Sequence, residues 1–323
     1  MSVIAAGFLG PSLVPNQDVA WDEVKLPLNP DALVQEMMGQ PMRRAGRFIK
    51  LVCCGALTCL KSAPKEVLEG KRVGIFLSTG LGNIDEILPF ITQVFKHDGG
   101  YPSPNQFANS VSNAAAFFLA KSCDVKGVIL TISQEELSFE SALWLAQSYL
   151  ASGEIDLALV GGCDVFTPTV SDYRDRLDLK PGNYRPAAMG EESSWLLLGG
   201  NSEKKIGDIL SVELTNDPAE IGKTSSAHLL QQCEGLAAGL LPQGEDRKIS
   251  RLLLPGFRFA GLDEVSWKKH GWDIDDYLPH CGISSTASAY GLARALLTRK
   301  STFMVHGNDH ATGRRALVAA MTK

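Results

Sequence analysis

Apolar positions along the chain fall into short unbroken runs separated by stretches with helical spacing. Ser2–Leu9 (SVIAAGFL), Arg72–Ser78 (RVGIFLS), Gly127–Leu130 (GVIL), Leu157–Val160 (LALV) and Ser194–Leu198 (SWLLL) read as strands. They do not alternate with polar residues, so both faces of each strand are expected to be buried. In Met42–Lys61, Phe48, Leu51, Val52, Gly55, Ala56 and Cys59 recur at three- and four-residue spacing, the period of one helical face. Ile84–Phe95 and the Ala-crowded Asn105–Lys121 read as further helices. So does Ser138–Ala151, which Ser152-Gly153-Glu154 stops. From 127 to 162 the order is strand, turn, helix, strand, which predicts a parallel sheet covered on both sides.

The second half repeats this plan more faintly. Ile206–Leu214, Ile249–Leu254, Thr302–Val305 and Ala316–Met321 are strand candidates, and Ala219–Ala238 and Ser285–Arg299 are helix candidates. Gly199-Gly200-Asn201 reads as a boundary. Two βαβαβ-like halves, 1–200 and a shortened 201–323, predict a duplicated, layered α/β fold.

Composition narrows the function classes. The chain is 45% hydrophobic and 21% charged, an ordinary globular balance. A formal net charge of −5 carries no nucleic-acid footprint. No apolar run reaches roughly 18 residues, so no membrane span is expected, and the first residues lack the basic segment of a signal peptide. The seven cysteines are scattered without a CxxC pair. This argues for free thiols in a reducing cytoplasm rather than a disulfide framework.

Candidate chemistry centres on Ser133-Gln134-Glu135-Glu136, where a buried strand turns into a helix. Such a turn suits a nucleophile, because the helix N-terminus favours developing negative charge. This one contains no cysteine. Glu135 and Glu136 read first as carboxylates that the helix dipole favours. Thr79-Gly80-Leu81-Gly82-Asn83 resembles a dinucleotide fingerprint loosely, lacks the third glycine, and reads as a tight strand–helix turn. Arg43, Arg44 and Arg47 read as a solvated face, and Cys163 as a buried apolar residue. Cys281 beside His280 invites a dyad, yet adjacent side chains point apart. His306 and His310 read as loop residues and supply too few ligands for zinc, so neither metal nor cofactor is expected.

Three segments together resemble the β-ketoacyl synthases of the thiolase fold, and among them the degenerate chain-length-factor proteins. Phe107–Ala116 (FANSVSNAAA) is similar to the family's NSVxNAAAG segment, and Ser152–Gly162 (SGEIDLALVGG) to its SGExDxALxGG strand. Arg185-Pro186 with Trp195–Leu198 is similar to its RPFD and GEGAAxLLLE region. The resemblance implies a layered α/β/α/β/α fold and catalysis by one cysteine and two histidines: a thiolate takes the acyl chain, and the imidazoles assist decarboxylation and hold the oxyanion. The positions that match here are Ser133, Gln134 or Glu135 for the cysteine, Pro255 for the first histidine and Ile283 for the second. The terminal GFGGTNA loop is reduced to 306–310.

With all three groups replaced, the resemblance implies a non-catalytic chain-length-factor-like subunit. It would form a heterodimer with an active β-ketoacyl synthase and act on chains carried by an acyl carrier protein, in polyketide, aryl polyene or fatty-acid-like elongation. Gln134 would stand for the family's cysteine-replacing glutamine. Phe107, Asn109, Val111, Asn113, Phe117 and Phe118 would line the subunit interface or the partner's acyl tunnel; for Phe117 and Phe118, ordinary core is the competing reading. The alternative is an enzyme with repurposed residues. It would decarboxylate malonyl thioesters through Gln134, or act as an acyltransferase or hydrolase through Ser133, Glu135 or Cys281–His280.

Overall fold

The computed structural model describes residues 1–20, 28–96, 99, 103–167, 188–216, 226–241, 249–259 and 261–323. Strands β1 (Ser2–Leu9), β2 (Val73–Ser78), β3 (Ile129–Ile132), β4 (Leu157–Asp164) and β5 (Glu192–Gly199) form one half. Strands β6 (Gly207–Asn216), β7 (Ser250–Pro255), β8 (Trp272–Ile274), β9 (Thr302–Asp309) and β10 (Arg314–Thr322) form the other. They hydrogen-bond in the order β3-β2-β4-β5-β1-β6-β10-β9-β7-β8. If β6 stands for β1 and each later strand for its counterpart, the second half repeats the first in mirror order. The two halves of the sheet join where β1 pairs with β6, through Ser2↔Asp208 and Val3↔Gly207.

The helices are α1 (Asp31–Met38), α2 (Arg47–Ser62), α3 (Ile84–Lys96), α4 (Pro104–Ser110), α5 (Ala114–Ser122) and α6 (Ser138–Ala151), then α7 (Ser226–Leu240), α8 (Glu264–Lys269), α9 (Leu278–Cys281) and α10 (Ala287–Thr298). Helices α6 and α10 touch each other and sit between the sheet halves: α6 packs on β2, β4 and β6, and α10 on β1, β5 and β9. Around them lies a central apolar cluster that includes Phe8, Phe76, Phe139, Leu254, Tyr290 and Met304. Helix α2 covers the outer face of the first half over Ile4, Leu77, Leu159 and Trp195. On the far side, Leu229 and Cys233 of α7 pack with Trp272, Phe303 and Leu317. The layering is α/β/α/β/α, and it explains the unbroken apolar runs. In β4, Leu157 and Leu159 serve the outer cluster while Ala158 and Val160 serve the central one.

The sheet is mixed rather than parallel. β2 runs parallel to β3 and β4, but β5 is antiparallel to both β4 and β1. Burial on two faces sets the apolar pattern whatever the strand direction, so the runs alone carry no direction. The helix expected over 105–121 breaks. Ser103 and Pro104 start α4, Val111 is extended at φ −95° and ψ 127°, and α5 begins at Ala114. The amide of Asn109 ties this corner down: its Oδ1 accepts from Gly46 N at 3.0 Å and its Nδ2 donates to Arg44 O at 2.9 Å.

Helix α2 starts at Arg47, five residues later than its apolar spacing suggested. Arg43 and Arg44 lie exposed ahead of it. Arg47 departs from the solvated-face reading: it grips the buried Glu191 with two 2.6 Å hydrogen bonds. The absent side chain of Gly55 lets α2 settle onto β5, since a Cβ there would stand 2.1 Å from Ser193 Oγ. β9 continues through His306–Asp309, which the sequence placed in a loop. Arg185-Pro186 and the expected helical residues 219–225 lie outside the described residues.

Candidate functional site

A strand face and a helix start bring the site together. In and just beyond β9, His306, Asn308 and His310 recur at period two and share one face. Glu136 lies in the turn two residues ahead of α6, and Glu140 in the first turn of α6. The strand face meets both. His306 Nε2 lies 3.0 Å from Glu140 Oε1, and its Nδ1 lies 2.8 Å from Leu254 O. Asn308 Nδ2 donates to Glu136 O at 2.7 Å and to Glu140 Oε1 at 3.1 Å. His310 Nε2 stands 3.1 Å from Glu136 Oε2 and closer still to Glu135 Oε2. Arg258 holds Glu136 Oε1 through two nitrogens, one of them Nε at 3.1 Å. Arg314 donates to Gln134 Oε1 at 3.1 Å and to Glu135 Oε2 at 2.9 Å.

The turn itself is built to hold this shape. Gln134 N donates to Ser138 Oγ at 2.9 Å, and Ser138 Oγ donates to Glu135 O at 2.6 Å. Glu135 takes φ +54°, the left-handed region that a residue with a Cβ adopts at a cost. Two arginines and a histidine thus clamp the carboxylates of a turn that offers no thiol.

The other matched positions supply no base. Ser133 is exposed, with Oγ 3.5 Å from Gly80 O. Pro255 ends β7, where Gly256 N donates to Gly307 O at 2.8 Å. Ile283 is fully buried in the central cluster and bridges Met189, with N donating to Ala188 O at 2.7 Å and O accepting from Gly190 N at 2.9 Å. The Cys281–His280 dyad does not form. Burial pushes the Cys281 thiol well up, and Sγ faces Gly282 O at 3.3 Å, while His280 Nδ1 turns to Asp18 Oδ1 at 2.9 Å. Burial also pushes up the Cys163 thiol, so neither group offers a thiolate near neutral pH.

Beneath the turn lies a buried carboxyl pair that sequence reasoning missed. Asp164 ends β4 and accepts from Thr79 Oγ1 at 3.0 Å, Gly80 N at 2.9 Å, Leu81 N at 3.1 Å and Thr286 Oγ1 at 3.0 Å. The Gly-rich turn therefore cradles the chain's own carboxyl, which settles its loose likeness to a nucleotide loop. Glu192 Oε1 lies 2.6 Å from the same Thr286 Oγ1. One hydroxyl proton serves one acceptor, and burial pushes both carboxyls above their ordinary range. Glu140, Asn308, Arg258 and Arg314 were missed as well. The readable signal was a charged residue at the end of an apolar run, as in Asp164, Glu191 and Glu192.

Comparison with known proteins gives this architecture its place. The family model of the β-ketoacyl synthase N-terminal domain matches residues 22–181. No curated protein sequence matches the chain. Among solved structures, the ishigamide ketosynthase/chain length factor superposes with a TM-score of 0.74 at 14% identity, covering 99% of each chain. A β-ketoacyl synthase from Burkholderia phymatum STM815 gives 0.70 at 13%, covering 100% of this chain and 99% of the other. A type II PKS acyl-carrier protein complex with its ketosynthase bound to the hexaketide gives 0.69 at 13%, again over 100% and 99%.

Residues 22–181 are β-ketoacyl-synthase-like, and the whole chain has the fold of the ketosynthase structures. On this ketosynthase-like scaffold, α3, α4, α5 and the edge strand β3 carry a patch of exposed apolar side chains. Phe107 and Phe117 are 56% and 59% exposed, and Leu88, Ile91, Phe95, Val111 and Ile129 join them. Asn113 is exposed, Phe118 packs against the outer core cluster, and Asn109 is buried in the α2–α4 corner. No described helix of the ketosynthase-like chain is long and apolar enough to cross a membrane.

Proposed function

We propose that this chain is the non-catalytic, chain-length-factor-like partner of an active β-ketoacyl synthase in polyketide-type elongation on an acyl carrier protein. The observation that carries this reading is the filled turn. Where a condensing enzyme needs a thiol and two imidazoles, this chain has an arginine-clamped Gln134–Glu135–Glu136, a proline at 255 and a core isoleucine at 283. Support also comes from a solved relative described as a ketosynthase/chain length factor. The exposed patch on α3–α5 and the open edge of β3 are the surface for the partner, and Phe117 is the side chain placed to close its acyl tunnel. We assign the pair to the cytoplasm, in keeping with free cysteines throughout the described residues.

Co-expression with a candidate ketosynthase and a malonyl-loaded carrier protein tests the reading. A one-to-one complex that extends chains only when both subunits are present is the expected result, with longer products from Phe117→Ala. Decarboxylation or thioester hydrolysis by this chain alone would overturn it in favour of a repurposed enzyme working through the Glu135–Glu136–His310 corner.

A further inference from the structure

We infer that the cavity at the amino-terminal ends of β2, β3 and β4 binds a linear aliphatic carboxylate, its chain inside and its head at Lys71. The cavity holds about 760 Å³, within the roughly 300–1,000 Å³ of small-molecule sites. It lies at the opposite end of these strands from the Ser133–Glu136 turn, which follows β3.

The interior is apolar. Leu60 of α2, Leu68 just after the short turn Lys65–Val67, Val73, Val125 and Val128 line the space and are each half-buried. Leu159 of β4, with 0% exposure, forms the floor. Protein interiors pack to the density of organic crystals, so a gap of this size between six aliphatic side chains leaves their inner surfaces without neighbours. An apolar chain supplies those contacts and removes that surface from water.

The wall is preformed. Asp124 takes φ +51° and reverses the chain after α5, with Cys123 N donating to Leu119 O at 3.0 Å and Val125 N to Ala120 O at 2.9 Å. Four residues on, Val128 O accepts from Ile75 N at 2.8 Å. Gly127 lies so close to β2 that a Cβ would stand 2.4 Å from Val73 O. Pinned at both ends, the strip from Cys123 to Val128 does not collapse into the gap.

The charges at the opening choose the head group. Exposed Lys71, Arg72 and Lys126 stand there against Asp124 and Glu154. Arg72 is committed to Asp156 at 2.8 Å, and Lys126 faces Asp124 at 3.4 Å. Glu154 Oε1 accepts from Ser152 Oγ at 3.2 Å. Lys71 makes no ion pair among the described residues; Asp156, which feels its charge, is already gripped by Arg72. One ammonium matches a singly charged head. The cavity also contains its own reporter. Cys123 lines it and is partly exposed, whereas the other six cysteines are buried. Burial pushes the Cys123 thiol up to about 11, so it reacts slowly but separably.

Dodecanoate titrated into the full chain below its micelle concentration tests the site, read by calorimetry and by the rate at which iodoacetamide labels Cys123. One equivalent is expected to bind and to slow that labelling in proportion to occupancy. Lys71→Glu turns an attraction into a repulsion and should weaken binding by about 10-fold. Dodecyltrimethylammonium, with the same tail and the opposite charge, should bind at least about 10-fold more weakly than dodecanoate. Val125→Trp fills the cavity and should abolish binding, with its melting temperature showing that the variant folds. If it does not fold, Lys71→Glu and the Cys123 labelling decide. Absence of saturable one-equivalent binding, binding that leaves Cys123 labelling unchanged, or equal affinity for the two head groups would each overturn the assignment. So would affinity unmoved by Lys71→Glu or by a folded Val125→Trp. No readout here involves a ketosynthase, so a failure leaves the proposed pairing untouched.

Discussion

His306 Nε2 lies 3.0 Å from Glu140 Oε1, across 166 residues of sequence, with both side chains essentially sealed from water. His306 Nδ1 faces a carbonyl and so carries a hydrogen, leaving one proton on the Nε2–Oε1 line. The pair ties the central helix α6 to β9 and thus one half of the fold to the other. Removing one member strands the other in the core. Glu140→Ala and His306→Ala are each expected to destabilise by about 3–5 kcal/mol, while replacing both with apolar residues of similar volume should cost far less. Urea unfolding of the two single variants and the double variant checks this; additive losses would show that the two groups are not coupled.

The buried Glu192 makes stability fall as pH rises. Its folded carboxyl is pushed well above the ordinary 4.5, chiefly by desolvation, with Asp164 beside it adding to the shift. A raised carboxyl stabilises fully below its unfolded value, and that contribution is lost as pH climbs toward the folded one. The surrounding groups favour neutrality: Asp164 is raised too, Cys163 and Cys281 are un-ionised thiols, and Arg47 is committed to Glu191. Glu192→Gln keeps the shape of the neutral acid. It is expected to raise the melting temperature at neutral pH and flatten its decline above pH 4.5. A variant that melts lower than the wild type at neutral pH would show that Glu192 works as a carboxylate.

Much of the layered fold was legible because it rests on period and burial. Ser138–Ala151 was read with its observed ends, since Ser152-Gly153 supplies a strong stop and Gly153 takes φ +71°. The break at Val111 was not legible. Small residues on both sides keep a helical composition, and the cause is a tertiary anchor at Asn109. The site was legible only in what it lacks. Gln134 and Glu135 could be seen to replace a thiol, but Arg314, which clamps them, comes from 180 residues away, and Arg258, which holds the adjacent Glu136, from 122. Such pairings leave no mark on local pattern. His306 and His310 were read as loop because glycine and asparagine lie between them; in the structure Asn308 is itself part of the strand face.

Gly282 is expected to tolerate no side chain. It takes φ +76°, and a Cβ would stand 2.5 Å from Gly190 Cα in a contact formed by backbone on both sides. Strain of about 1–3 kcal/mol adds to overpacking of similar size, so Gly282→Ala should cost about 2–6 kcal/mol. Denaturant unfolding measures it. A loss below about 1 kcal/mol would mean that the Met189–Ile283 bridge next to it yields easily, and that Ile283 is less fixed in the core than its burial indicates.

Phe117 tests the proposed partner surface apart from the core. Its ring is 59% exposed on α5, meeting Phe118 edge to face at 6.1 Å between centroids. Exposed positions usually change stability by no more than about 0.5 kcal/mol. Phe117→Asp should therefore leave the unfolding curve of the isolated chain nearly unchanged. In an apolar interface the same carboxylate would be buried without a partner, and breaking such a surface costs several kcal/mol. Co-purification with the ketosynthase is expected to fail for Phe117→Asp and to survive for a control on the opposite side of the chain, Lys268→Asp on α8. Equal retention of both variants would place the partner elsewhere, and the apolar patch over α3–α5 would then need another occupant.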